Sequence, residues 1–239
     1  MYSHPYRRTG VRSDRLNKID SIFQGCGQTS VLLNFFSEHV EILYTARYIK
    51  GMSSRETILK QGLSLFAQKG YNAVGVQEIC DACGVTKPTL YHFFGSKRGL
   101  LEAIFASHYP ALLECVKKSC EYHRDLQMNL ERLAACFFSF ALEQRTFNRL
   151  LLSVIYAPPE NEVSEIIKGY TGKIFGCIKT LFVTSIPEYG NLRGKELLLT
   201  SSFLGLMRSY VGLFLSGEVK LDDSLSRSIV KQFMYGIFS

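Results

Sequence analysis

The sequence predicts an all-α protein. Apolar residues recur at helical spacing through most of the 239-residue chain, and no stretch shows the alternation of a half-buried strand. The breaks between periodic runs are strong ones: Ala157-Pro158-Pro159, then residues 187–191 with Pro187 and Gly190, then Gly217. With 46% apolar residues the chain can bury a sizeable core.

Taken in order, residues 1–20 are Arg-rich and without clear period, and 31–49 can form one amphipathic helix. Gly51-Met52-Ser53-Ser54 then offers a serine N-cap, with Glu56 in the first turn where its charge suits the helix dipole. Met52 directly precedes this start. Residues 1–51 are therefore expected to be either an upstream translation, with the true start at Met52, or an extra arm. Between Ser54 and Lys69 one face carries Ile58, Gly62 and Phe66, flanked by Leu59, Leu63 and Ala67, and Gly70 closes the helix.

The stretch 74–97, VGVQEICDACGVTKPTLYHFFGSK, is the most informative in the chain. A helix over 76–82 leads into the turn Cys83-Gly84-Val85, and a second helix opens at Thr86 and runs to about Phe93. Gly84 sits where a left-handed backbone is needed, and Thr86 can cap the second helix. Pro88 is tolerated in a first turn, where its missing N–H has no partner anyway. Two helices joined by such a turn make a helix-turn-helix, whose second helix enters the DNA major groove. Its outward residues, Lys87, Thr89, Tyr91 and His92, can bond phosphates and base edges.

Ser96 can cap a helix over 97–108, after which Pro110 interrupts and reopens the pattern. The remaining helices are expected at 110–123, 125–143, 146–156, 160–185, 194–216 and 222–238. This divides the chain into an extension (1–51), a helix-turn-helix domain (52–109) and an all-helical domain (110–239).

The net charge of +7 and a pI of about 9.0 favour a polyanionic partner. The charge is spread as +3, +2 and +2 over residues 1–50, 51–107 and 108–239, with no strong basic run. The seven cysteines, with no apolar leader before them, are expected to be reduced and the protein cytoplasmic. The Cys80/Cys83 CxxC has no second metal-binding half, so buried structural thiols are the better reading than a redox pair or zinc site. The run 197–215 nearly reaches the ~20 residues of a membrane span, yet Arg208 falls near its middle; a buried helix at a subunit interface fits better. No P-loop, GxSxG, HExxH or dinucleotide fingerprint supports an enzyme, and no cofactor or metal is expected.

Ile58-Leu59, residues 65–71 (LFAQKGY), Ile79, Gly84-Val85-Thr86-Lys87, residues 90–94 (LYHFF) and Ser96-Lys97 together resemble the DNA-binding domain of TetR-type transcriptional regulators. The resemblance covers about residues 53–105 in order, spacing and residue type. It implies a homodimer of all-α subunits, paired through the helices at about 160–185 and 194–216, reading a near-palindromic double-stranded operator. Half-sites about one helical turn apart, roughly 34–36 Å, are expected. A small molecule in the C-terminal domain would shift the helix after Ser96 and release the DNA, so a repressor is implied. The alternative is a helical ligand-binding or interaction protein that keeps the fold and reads DNA weakly.

Carried over residue by residue, the resemblance puts Gln77, Thr86, Lys87, Pro88, Thr89, Tyr91, His92 and Lys97 at DNA, Lys97 at a phosphate. Leu90, Phe94, Ile79 and Val85 would form the small core that fixes the helix angle. This chain departs from the pattern at Gly75 (usually Thr or Ser), Phe93 (His or Tyr), Gly99 (acidic) and Gly62 (Ala), the last expected to cost about 0.5–1 kcal/mol. For an effector, Phe137, Phe140, Tyr156, Tyr170, Phe203, Met207 and Tyr210 are candidate pocket residues, suggesting an apolar or aromatic molecule. Phe147 and Phe214 belong to the same aromatic group. Arg208 is expected to meet an anionic ligand or pair with a carboxylate such as Glu165.

Overall fold

The computed structural model describes residues 53–158 and 162–236. The expectations for residues 1–51 and for a start at Met52 lie outside the described residues. Those described form nine α-helices and a 3-10 turn, with no strand among them. The helices are α1 (Ser54–Lys69), α2 (Val76–Cys83), α3 (Lys87–Phe94), α4 (Lys97–Ser119), α5 (Leu126–Glu143), α6 (Arg145–Val154), α7 (Glu162–Thr184), α8 (Glu196–Ser216) and α9 (Asp223–Tyr235). The 3-10 turn, Gly190–Leu192, precedes α8.

Local chemistry sets most of these ends. Ser53 caps α1 in a full capping box with Glu56, whose carboxylate returns to the Ser53 N–H at 3.0 Å. Asp125 caps α5 through the Met128 N–H, and Asp222 caps α9 through the Leu225 N–H. Gly70 and Gly217, both at positive φ, end α1 and α8.

One boundary differs in kind. The helices expected at 97–108 and 110–123 are a single helix, α4, running through Pro110 to Ser119. A proline inside a helix costs ~3 kcal/mol or more through its lost N–H and ring clash. Here Tyr109, Leu112 and Val116 continue one buried face across it while Pro110 itself is exposed, so packing overrides the local break. The junction expected at 109/110 therefore lies inside α4. The other helices end within three residues of expectation.

The expected all-reduced thiols are also corrected. Cys115 of α4 and Cys136 of α5 are joined as a disulfide, their Cα atoms 6.0 Å apart and 21 residues apart in sequence. Antiparallel packing of α4 on α5 brings them together, and no local pattern announces it.

α1 packs on α2, α3, α4 and α6, while α4 lies between α5 and α7. α7 and α8 run side by side, and α9 covers α5. An aromatic cluster links the layers: Phe105 lies 5.1 Å from Phe147 and 5.4 Å from Tyr170, and Tyr109 lies 4.9 Å from Tyr170. Such pairs contribute ~0.5–1.5 kcal/mol each beyond their burial.

Candidate nucleic-acid interface and apolar crevice

The turn between α2 and α3 is closed by backbone alone. Gly84 adopts φ 63°, ψ 34°, and Val85 N–H donates to Cys80 O at 3.0 Å. That left-handed residue reverses the chain so that Ile79 and Leu90, both fully buried, meet beneath the two helices. Val85 packs against the same core, and Phe94 seals the end of α3. With Leu90 and Phe94 facing inward, Lys87, Pro88, Tyr91 and His92 face outward. Tyr91 is 45% exposed and Phe93 38%, so α3 presents a partly aromatic surface.

The remaining candidate residues divide. Thr86 occupies the N-cap position of α3, yet its hydroxyl shares a hydrogen bond with Thr89 Oγ1 at 2.9 Å instead of capping. Gln77, exposed near the start of α2, donates to Asp81 Oδ1 at 2.7 Å. Lys97 departs most from expectation. Its ammonium donates to the carbonyls of Tyr71 and Val74, both at 3.0 Å, and lies 4.2 Å above the Tyr71 ring. It braces the turn between α1 and α2 and is half-buried there, with two of its three N–H donors used internally.

Gly99 has a steric reason. Ser96 caps α4 through the Gly99 N–H at 2.9 Å, and a Cβ on residue 99 would run into the carbonyl oxygen of Phe94. A larger residue cannot stand there while α3 and α4 keep this angle.

A polar strap, not readable from the sequence, ties this region to α7. The buried Tyr71 side chain donates its hydroxyl to Glu162 at 2.7 Å, and Arg98 bridges Glu165 at 3.0 Å and Glu102 at 3.0 Å. Burial and the hydrogen bond to Glu162 push the Tyr71 phenol well above its ordinary range. Arg98 and Glu102 carry an i,i+4 signal, but Glu162 and Glu165 lie too far along the chain to show one. The carboxylate suggested for Arg208 is thus already paired with Arg98.

A narrow crevice of about 40 Å³ opens among α4, α5, α6, α7 and α8. Its wall is apolar, with Leu112, Leu151, Ile174, Leu204 and Val211 prominent. Of the expected pocket residues, Phe137, Met207 and Arg208 line it. Phe140 is buried edge-on against Phe147, and Phe203 is fully buried against Phe233. Tyr170 packs on Phe105 and Tyr109 and faces a shallow cleft beside Arg98, while Tyr210 is half-buried outside the crevice lining. Tyr156 stands 74% exposed, with Arg208 5.9 Å over its ring. Helical period finds apolar residues but does not say which neighbouring helix each meets, which is why plain core and pocket were not separable. Leu151, Leu204 and Val211 were missed because nothing in their local sequence distinguishes them from core.

Residues 58–104 match the family described as bacterial regulatory proteins, tetR family. The HTH-type transcriptional activator FasR of Mycolicibacterium smegmatis is 29% identical over 182 residues, spanning 76% of this chain and 81% of that protein. Among solved structures, the TetR family regulator PfmR from Thermus thermophilus is 23% identical with a TM-score of 0.61, covering 75% of this chain and 98% of that one. FadR from Bacillus subtilis, solved in complex with stearoyl-CoA, is 16% identical with a TM-score of 0.63, covering 76% of this chain and 98% of that one.

Proposed function

Because this chain belongs to the tetR family of bacterial regulatory proteins, we propose that it is a homodimeric repressor that leaves its operator when a small apolar molecule fills the crevice. The carrying observation is α3 itself: a helix set at a fixed angle by Ile79, Leu90 and Gly84, with Lys87, Pro88, Tyr91 and His92 facing solvent. Tyr91 and His92 reach base edges, Lys87 holds phosphate, and Thr86 and Thr89 position the helix start against the backbone. Gln77 adds a further contact from α2.

The dimer reading rests on α7 and α8. α8 is long and apolar enough to cross a membrane, yet only 28% of its apolar window is buried within the subunit. Leu197 and Leu198 are 63% and 64% exposed, and Val183 on α7 is 47% exposed. Gly169, Gly172 and Gly176 leave open space where side chains would stand, so a partner helix can approach closely. An apolar face of this size is better explained by a second subunit than by bare solvent. The substitution Leu198→Glu is expected to yield monomers in analytical ultracentrifugation.

Release would work through α7. Thr171 and Ile174 line the crevice in its middle, and Glu162 and Glu165 at its start hold Tyr71 and Arg98. A ligand that widens the crevice moves α7 and disturbs the strap, provided it binds the two dimer states with different affinity. The second reading, a ligand-binding protein with weak DNA reading, is favoured by Lys97, whose charge is held by two carbonyls. Fluorescence anisotropy with DNA from upstream of its own gene, with competitor and at two salt concentrations, separates the two. Competitor-resistant binding weakened by Tyr91→Ala by ~1–3 kcal/mol supports the regulator. Equal, salt-erased binding to all DNA refutes sequence reading.

A further inference from the structure

The effector crevice proposed above contains one cation in an apolar wall. Arg208 is half-buried near the middle of α8, beside Leu204, Met207 and Val211. Two other polar side chains of the lining are committed internally, while the buried Tyr109 phenol, also in the lining, lies close enough to Arg208 to feel its charge. Asn148 donates to the carbonyls of Phe140 and Gln144 at 3.3 and 3.0 Å, and the Thr171 hydroxyl donates to Ile167 O at 3.0 Å. Among the described residues no carboxylate lies within ion-pair distance of Arg208, and its guanidinium contact is the face of Tyr156. A ring face attracts the positive charge but accepts none of the five N–H bonds in the fork. A guanidinium held against apolar walls without an acceptor is complementary to an anion.

We propose, resting on the reading of this crevice as the effector site, that the ligand is an amphiphile with a linear apolar body and a single anionic head, a carboxylate seated on Arg208. Leu112, Leu151 and Ile174 receive the apolar body, and the carboxylate accepts two parallel N–H bonds from the guanidinium while Tyr156 stays over its face. One cation in the wall matches one charge. A polyphosphate head, as on an acyl-CoA, would need several. The crevice is narrow as it stands, so entry of the chain parts α6 from α8, and the energy for that comes from burying the apolar body.

The test is isothermal titration of the full-length protein, below micelle concentrations, with dodecanoate, dodecan-1-ol and dodecanoyl-CoA. The protein is expected to bind dodecanoate at least tenfold more tightly than dodecan-1-ol, and dodecanoyl-CoA no more tightly than dodecanoate. Arg208→Met is expected to bring the dodecanoate-to-dodecanol ratio close to one while shifting dodecanol affinity less than threefold. Arg208→Lys keeps part of the preference, and thermal melts confirm that both variants fold. Equal affinities in the unsubstituted protein, or a preference that survives Arg208→Met, overturn the role of Arg208 and leave the crevice standing as an effector site. Dodecanoyl-CoA binding tenfold tighter than dodecanoate overturns the single-charge head. Binding of none of the three overturns the linear amphiphile as the ligand, while the regulator reading is judged separately by the DNA-binding assay above.

Discussion

The substitution Gly62→Ala tests the packing of α1 on α4 directly. A helix-interior glycine costs about 0.5–1 kcal/mol relative to alanine, so propensity alone predicts a gain in stability. The structure predicts the opposite sign. A Cβ on residue 62 would lie 2.8 Å from Leu100 Cδ2 and 3.3 Å from its Cγ, against an ordinary carbon–carbon separation of ~3.5–4.0 Å. Leu100 is fully buried, so its side chain must withdraw by roughly 0.7 Å into occupied core. Overpacking of this kind costs ~1–3 kcal/mol, which against the propensity gain leaves a net loss of up to ~2.5 kcal/mol. For a unit of this size that lowers the Tm by up to ~10 °C. Urea denaturation of Gly62→Ala, Leu100→Ala and the double variant supplies the cycle. Leu100→Ala alone should cost ~2–5 kcal/mol, and the new Cβ should recover part of that cavity, giving a favourable coupling of ~1 kcal/mol or more. A Gly62→Ala protein that is more stable by ~0.5–1 kcal/mol, with a cycle additive within ~0.5 kcal/mol, would refute the steric argument.

Gly99→Ala forces a Cβ onto the Phe94 carbonyl, a backbone atom that cannot rotate away, and is expected to cost at least ~2 kcal/mol in urea denaturation. Lys97→Met and Lys87→Ala should separate by readout. Lys97→Met loses two charge-assisted hydrogen bonds and destabilises the fold by ~1.5–3 kcal/mol with little change in the salt slope of DNA binding, whereas Lys87→Ala leaves stability nearly unchanged and reduces that slope by about 1. Burial pushes the Cys83 thiol up to about 11 and the Cys120 thiol up to about 12. An unfolded thiol titrates near ~8.5, so below about pH 8 both states keep the proton. As pH rises from there towards 11, the unfolded chain releases protons that the native state retains, and stability falls. Urea midpoints measured across that range should decline, and Cys83→Ala/Cys120→Ala should flatten the decline.

Much of the fold was legible because its signals are local. Ser53 with Glu56, Gly70, Gly84 and Ser96 each mark a helix end through a bond reaching three to five residues, and each stands where its sequence places it. The outward face of α3 was legible for the same reason, since Leu90 and Phe94 four residues apart fix which side is buried. Pro110 shows the limit. Its local cost is real, but the buried face carried by Tyr109, Leu112 and Val116 outweighs it, and that face exists only because α5 and α7 pack on α4. Lys97 shows another. A lysine at a helix start reads as a phosphate contact, and only the approach of the Tyr71–Val74 turn gives its ammonium two carbonyls.

The sequence by itself determined the all-α class, the order of the helices, the glycine turn and the side of α3 that faces solvent. These follow from periodicity and capping, which act over one or two helical turns. Tertiary structure alone decided the Cys115–Cys136 pair, the strap from Tyr71 to Glu162 and from Arg98 to Glu165, and which aromatic residues line the crevice. Each of those joins residues from different helices. Chain packing sets their separation, and no pattern within one helix specifies which neighbour it will meet.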